Sequence, residues 1–169
     1  MLVDQHAVHE RLLFDKLMRE HQDEAVMGQE LLVPIIIDVT NAEQRLLEDN
    51  RNTLESIGMT VEDFGERDIA VRTIPMILGE AQTKDFVRDV IAELENGRDP
   101  SFEKKRSALL QTACKHAVKG GEALTEEELR SLLDKMIEQK VTPTCPHGRP
   151  LVVAISHREL DRKFKRIQK

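Results

Sequence analysis

The sequence predicts an α+β protein: a small mixed sheet carrying helices, joined to a mostly helical part. Three observations predict it. Residues 28–39 form a β-branched apolar run, and two shorter runs, Met59–Phe64 and Asp68–Ile74, flank the turn Gly65-Glu66-Arg67 with the length and chemistry of a hairpin. Apolar residues at helical spacing stand on either side of these runs, so helices share the layer. From Gly79 onward the spacing becomes almost purely helical.

Taken in order, Leu2-Val3 reads as the last step of a buried strand. Asp4 stands where a helix begins, a position that favours a short oxygen-bearing side chain. That helix runs from Gln5 to Glu20 with Leu13, Phe14 and Leu17 inside, and a polar connection follows. In the run from Gly28, Pro34 has no N–H for a ladder and confines the early part to a sheet edge. Thr40 or Asn41 caps one helix reaching Ser56, with Leu46, Leu47 and Leu54 inward, and Gly58 ends it. After the hairpin, Thr83–Glu95 is a helix with Phe86, Val90, Ile91 and Leu94 inside, stopped by Asn96-Gly97. Asp99-Pro100-Ser101 opens the next, reaching Lys119 with Leu109, Leu110, Ala113, Cys114 and Ala117, before Gly120-Gly121. Thr125 and Glu128 form a capping box in front of a third helix, Glu127–Gln139. Thr142–Pro150 is a loop stiffened by three prolines, Leu151–Ile155 a short strand, and the tail a basic helix. The predicted division is residues 1–78 with 151–169 as the sheet-containing part, and 79–150 as a helical part inserted before the chain returns to the first sheet. The chain begins inside an apparent strand, so it reads as a piece of a longer protein with strands upstream.

Charge narrows the function. Twenty-five basic residues against 31 acidic give −6, which argues against tight autonomous binding to nucleic acid. The distribution is uneven: residues 38–69 carry nine acids and three basic residues, whereas Lys104, Lys105, Arg106, Lys115 and Lys119 face Glu103 alone in residues 103–119. Residues 157–169 carry six basic residues and two acids. Each basic stretch reads either as a solvated helix face or as a site of weak contact with a polyanion. Trp and Tyr are absent and Phe numbers five, too few for a base-stacking platform. No signal peptide or membrane span is read, and two cysteines form no disulfide framework, so a reducing, cytoplasmic setting is expected.

The residues with chemistry are few. Cys145 and His147 are one residue apart, so in extended backbone both side chains point to one side and can bind one ion. The alternative is a proline-rich turn with an idle cysteine. Cys114 falls on the buried face of its helix, where a lone cysteine is ordinarily a small core residue, and His116 points to the other side. His6 and Glu10 are four apart on the first helix and face the same way, with Asp4 at its start. A carboxylate, an imidazole and a thiolate suit a divalent metal, provided the cysteines return to this helix.

Together these pieces resemble the C-terminal domain of MutL-type DNA mismatch-repair proteins, in the branch with a latent endonuclease. Asp4-Gln5-His6-Ala7-Val8-His9-Glu10-Arg11 matches the family's D-Q-H-A-x-x-E-R, with Asp15 where a final Glu is expected. Ala113-Cys114-Lys115 matches the second motif, Cys145-Pro146-His147-Gly148-Arg149-Pro150 the third in full, and Phe164-Lys165-Arg166 the terminal F-x-R. The resemblance implies His6, Glu10, Cys114, Cys145 and His147 as metal ligands, Asp4 and Glu10 as catalytic carboxylates, and Arg149 and Arg166 as phosphate contacts. It implies strand nicking of duplex DNA with manganese, zinc that holds or regulates the site, and a homodimer. It also implies partners in a mismatch-recognition protein and in a sliding clamp that takes Gln29, Leu31, Leu32 and Pro34. Gln29 to Pro34 also reads as the ordinary start of an edge strand. Nothing resembles the family's N-terminal ATPase, so no ATP site is expected. The competing reading is a non-catalytic dimerisation and docking module with structural zinc; a Cys114–Cys145 redox switch ranks last.

Overall fold

The computed structural model describes residues 2–22, 24–97, 101–118, 124–145 and 148–166 of the 169. It holds two units, Met1–Leu13 with Gly120–Lys169, and Phe14–Lys119.

The smaller unit starts with β1 (Leu2–Val3), paired antiparallel to β5 (Val152–Val153), so that Leu2 lies opposite Val153 and Val3 opposite Val152. Helix α1 (Gln5–Glu20) contributes its residues up to Leu13. Ala7 and Val8 of α1 form one buried cluster with Leu132, Cys145 and Leu151, and Val3, Leu12, Met136 and Val141 pack against it. Leu132 comes from α6 (Glu126–Glu138), the only buried residue of that helix. The remaining helix is α7 (His157–Lys163). Both later helices begin with a capping box, Thr125 with Glu128 and Ser156 with Glu159, which satisfies amide donors left free at a helix start. Both also end in the same uncommon way. Lys140 (φ 49°) donates its amide to Ile137 O at 3.1 Å while Val141 donates to Met136 O at 3.1 Å. Lys165 (φ 55°) donates to Arg162 O at 3.0 Å while Arg166 donates to Asp161 O at 2.8 Å. These are Schellman closures, with lysine in the left-handed place that glycine usually takes.

The larger unit is a three-stranded antiparallel sheet in the order β2 (Gly28–Asp38), β4 (Asp68–Pro75), β3 (Thr60–Asp63), with helices α2 (Asn41–Asp49), α3 (Arg51–Ser56), α4 (Thr83–Asn96) and α5 (Phe102–Ala117). β4 is central and carries buried Ile69, Ala70, Val71 and Ile74. β2 is an edge, as Pro34 requires, and its register with β4 shifts between Glu30 and Ile35, the interval that holds the proline. Leu47, Leu54, Ile57, Phe86, Val87, Val90, Leu109 and Leu110 complete the core. Burying each such large side chain contributes on the order of 1.5–3 kcal/mol.

Thr40 caps α2, its hydroxyl accepting the Glu43 amide at 3.2 Å. The single helix expected from residue 41 to Ser56 is instead two. At Asn50 the side-chain amide turns back to Leu46 O at 2.8 Å, an alternative to the helical pattern that Asn offers readily, and its Oδ1 accepts Lys105 Nζ at 2.7 Å. Gly58 (φ +78°) then reverses the chain so closely that a Cβ there would sit 2.7 Å from Val26 O.

The α+β class stands, with two corrections in detail. The sheet is not one mixed layer: β5 returns to β1, in a two-stranded antiparallel sheet separate from β2-β4-β3. Gly79, the expected boundary, lies inside the larger unit, because α4 and α5 pack on α2 and α3 rather than forming a helical part of their own.

Candidate metal centre

The start of α1 is built from its first six residues. The Asp4 amide donates to Leu151 O at 2.9 Å, which ties the helix start to the strand after the proline loop. Asp4 Oδ1 accepts the Ala7 amide at 3.0 Å, an N-cap by side chain, while the carboxyl group as a whole stays exposed. One turn later His6 Nε2 lies 2.9 Å from Glu10 Oε1. Only 6% of the Glu10 side chain is exposed, against 38% for His6, so a carboxylate is held in the interior with an imidazole as its one ion-pair partner among the described residues. A buried carboxylate is costly without a cation beside it.

The proline loop supplies the thiol. The Cys145 amide donates to Arg149 O at 2.7 Å and the Gly148 amide to Cys145 O at 2.9 Å, closing a tight turn in which Gly148 has φ +80°. Around it, Leu151 donates to Pro143 O at 2.9 Å. Within the turn the Arg149 amide points at Cys145 Sγ, 3.3 Å away. Sulfur is a weak acceptor, and this contact fixes its direction within the turn. Cys145 is buried among Ala7, Val8, Leu132 and Leu151, so its thiol belongs to the cluster that seats the first turns of α1. The Arg11 guanidinium reaches the same loop, 3.4 Å from Thr142 Oγ1.

The structure thus draws Asp4, His6, Glu10 and Cys145 into one unit. His147 lies outside the described residues. Cys114, 1% exposed on the inner face of α5, belongs to the larger unit. Among the described residues no three His, Cys, Asp or Glu side chains stand close enough together to hold an ion. The donors present fit a divalent metal chemically: an imidazole nitrogen, a buried carboxylate and a thiol already receiving an amide. Arg149 and Arg166 are exposed.

At β2 the expected docking residues divide. Leu32 is 98% exposed and Leu31 5%, because neighbours on a strand face opposite ways. Leu31 is therefore a core residue rather than a docking one; Gln29 and Pro34 are half-buried.

Two residues escaped the sequence reading. His9 is half-buried, and burial, followed by the charges of His6 and Lys135, holds its pKa below the ordinary 6.5. His116, expected on the surface, is mostly buried: Nε2 lies 3.0 Å from Asp89 Oδ2, and its ring stands edge-on to Phe86. Lys115 Nζ meets the same carboxylate oxygen at 3.0 Å, so consecutive residues of α5 grip α4. No local signal announces that grip, since Asp89 is 27 residues away from His116.

Residues 1–124 match a family model described as the MutL C terminal dimerisation domain. The chain is similar to the DNA mismatch repair protein MutL of Clostridium botulinum (strain Kyoto / Type A2), 37% identical over 168 residues, 99% of this chain and 25% of that protein. It is also similar to the protein of that name from Clostridium beijerinckii (strain ATCC 51743 / NCIMB 8052), 33% identical over 167 residues, 98% of this chain and 25% of that one. The chain spans about a quarter of the length of the curated relatives it matches. Among the described residues no helix is long and apolar enough to cross a membrane.

Proposed function

The chain belongs to the MutL C-terminal dimerisation domain family, and from that premise we propose that it serves DNA mismatch repair as a homodimerising, metal-dependent endonuclease domain that nicks duplex DNA and docks on a sliding clamp. One observation carries the reading: the Cys145 turn packs in the same buried cluster as the first turns of α1, which brings a thiol to the unit that holds the His6–Glu10 pair. His6, Glu10 and Cys145, together with His147, would hold the ions. Thiolate and imidazole suit zinc, and the carboxylate side suits manganese. A bound divalent ion supplies Lewis-acid cover for phosphate charge and a more acidic water.

The chain's own groups do the rest. Asp4 spends Oδ1 on the helix cap, and its exposed carboxylate leaves Oδ2 to orient a water and accept its proton. The exposed guanidinium groups of Arg149 and Arg166 hold phosphate oxygens, for which the forked geometry of arginine is suited. Leu32, projecting from the edge strand β2, offers an apolar anchor to a clamp groove, with Gln29 and Pro34 beside it.

The test is Asp4→Asn. Asparagine caps a helix about as well as aspartate, so the fold survives while the charge disappears. Manganese-dependent nicking of supercoiled plasmid in the presence of clamp should be abolished, with bound zinc unchanged. Nicking at the parental rate rejects the catalytic assignment. Stoichiometric zinc with no nicking in the parent chain points instead to a docking module with a structural ion.

A further inference from the structure

We infer that α7 and the turn that closes it form a docking surface for the phosphate backbone of duplex DNA. The choice of duplex DNA as the polyanion rests on the nuclease reading above; the surface itself rests on the structure.

The sequence holds two basic stretches, and the structure uses up one of them. Lys105 Nζ donates to Asn50 Oδ1 at 2.7 Å. Arg106, buried, donates from Nη2 to the carbonyl oxygens of His21 and Glu24 at 2.6 and 2.9 Å. Lys115 is paired with Asp89, and Lys104 is engaged as well. These cations hold helix ends and helix pairs together inside the larger unit.

The second stretch is different. Arg158, Arg162, Lys163, Lys165 and Arg166 are all exposed, and none has an ion-pair partner among the described residues. Two acids stand among them, Glu159 and Asp161. Glu159 Oε2 accepts from the Ser156 amide and from the Ser156 hydroxyl, both at 2.8 Å, so its first role is the helix cap, and the charges of Arg162 and Lys163 act on it only after those bonds. Five basic residues and two acids in residues 157–166 give a local +3 on a chain of −6. A polyanion is therefore drawn to this place more than to the acidic body of the chain.

Shape favours a duplex. Arg158 and Arg162, four apart, share one stripe of the helix, and Leu160 and Phe164 share another on the far side. The Schellman closure at Lys165 stops the helix, so Lys165 and Arg166 gather at its end. Seven residues of helix span about 10 Å, room for about three phosphates of one strand at 3.4 Å of rise each. Two apolar residues on one short helix are too small a face to hold it in lipid.

The experiment is anisotropy of a labelled duplex of about 30 base pairs, titrated with the 169-residue chain without divalent metal, over roughly 20–150 mM salt. The triple variant Arg158→Gln, Arg162→Gln, Lys163→Gln should bind at least about tenfold more weakly at the lowest salt, and its log–log salt slope should be shallower by about two to three. Lys104→Gln with Lys105→Gln should behave as the parent, and far-ultraviolet circular dichroism should confirm the helices in all three. Parental affinity and slope in the triple variant overturn the inference. So does equal loss in both variants, or a triple variant that loses phosphatidylserine vesicles while keeping DNA. Because binding is read without metal, a failed nicking assay leaves these slopes standing, and a failed slope leaves the Asp4→Asn result standing.

Discussion

Gly58→Ala should destabilise the larger unit by about 2–5 kcal/mol, whereas Gly65→Ala should cost only about 1–2 kcal/mol. The two glycines have nearly the same backbone, φ +78° and +85°. A Cβ in that left-handed region costs roughly 1–2 kcal/mol by its clash with its own carbonyl. At Gly65 an added Cβ meets nothing within 4 Å, so Gly65→Ala measures that cost alone. At Gly58 it would lie 2.7 Å from Val26 O and 2.9 Å from both Gly28 N and Met27 O. All three are backbone atoms, and none can swing aside. Val26 is fixed by the hydrogen bond its amide donates to Ser56 O at 2.9 Å, and Met27 O accepts the Met76 amide at 2.9 Å. The start of β2 must shift bodily, and overpacking of that kind typically costs a further 1–3 kcal/mol or so. The chain has no Trp or Tyr, so urea unfolding is followed by the far-ultraviolet circular dichroism of the helices. A fall in midpoint at unchanged slope gives the loss. If the two variants agree within about 0.5 kcal/mol, the close approach of Gly28 and Gly58 constrains nothing and the reasoning fails.

Two further outcomes follow from the helix ends. Lys140→Gly and Lys165→Gly should each raise the stability of the smaller unit by about 0.5–1 kcal/mol, since glycine accepts the left-handed closing position without strain. A lower urea midpoint in either variant would show that lysine at that place is worth more than the strain it carries. At α2, the Thr40 amide is the largest influence holding the Glu43 carboxyl below its ordinary 4.5; burial, next in size, opposes it, and the Thr40 hydroxyl and Arg88 add smaller pulls downward. A carboxyl lowered in the folded state stabilises it above pH 4.5, and that gain is lost as pH falls through the lowered value. Glu43→Gln should therefore cost stability at neutral pH and little at about pH 3.5, read from urea midpoints; a deficit that persists in acid refutes the capping account.

The sequence by itself determined the local chemistry. Thr125 was legible as a cap, Thr40 as one of two candidates (with Asn41), Gly58 and Gly97 as helix stops, and Pro34 as the mark of an edge strand, because each acts within a few residues of itself. His6 and Glu10 were legible as a facing pair for the same reason, helix geometry being fixed once the helix is. The tertiary structure decided everything that needs a distant partner. It sent β5 back to β1 and turned Leu31 inward and Leu32 out. It broke the expected helix at Asn50, where Lys105 arrives from 55 residues away, and it tied cations of one basic stretch into the larger unit while leaving those of the other exposed. It also carried Cys145 to the first turns of α1. Spacing along a chain fixes which way a side chain faces, but only the packing of the core fixes what it meets there, and that depends on residues no local window contains.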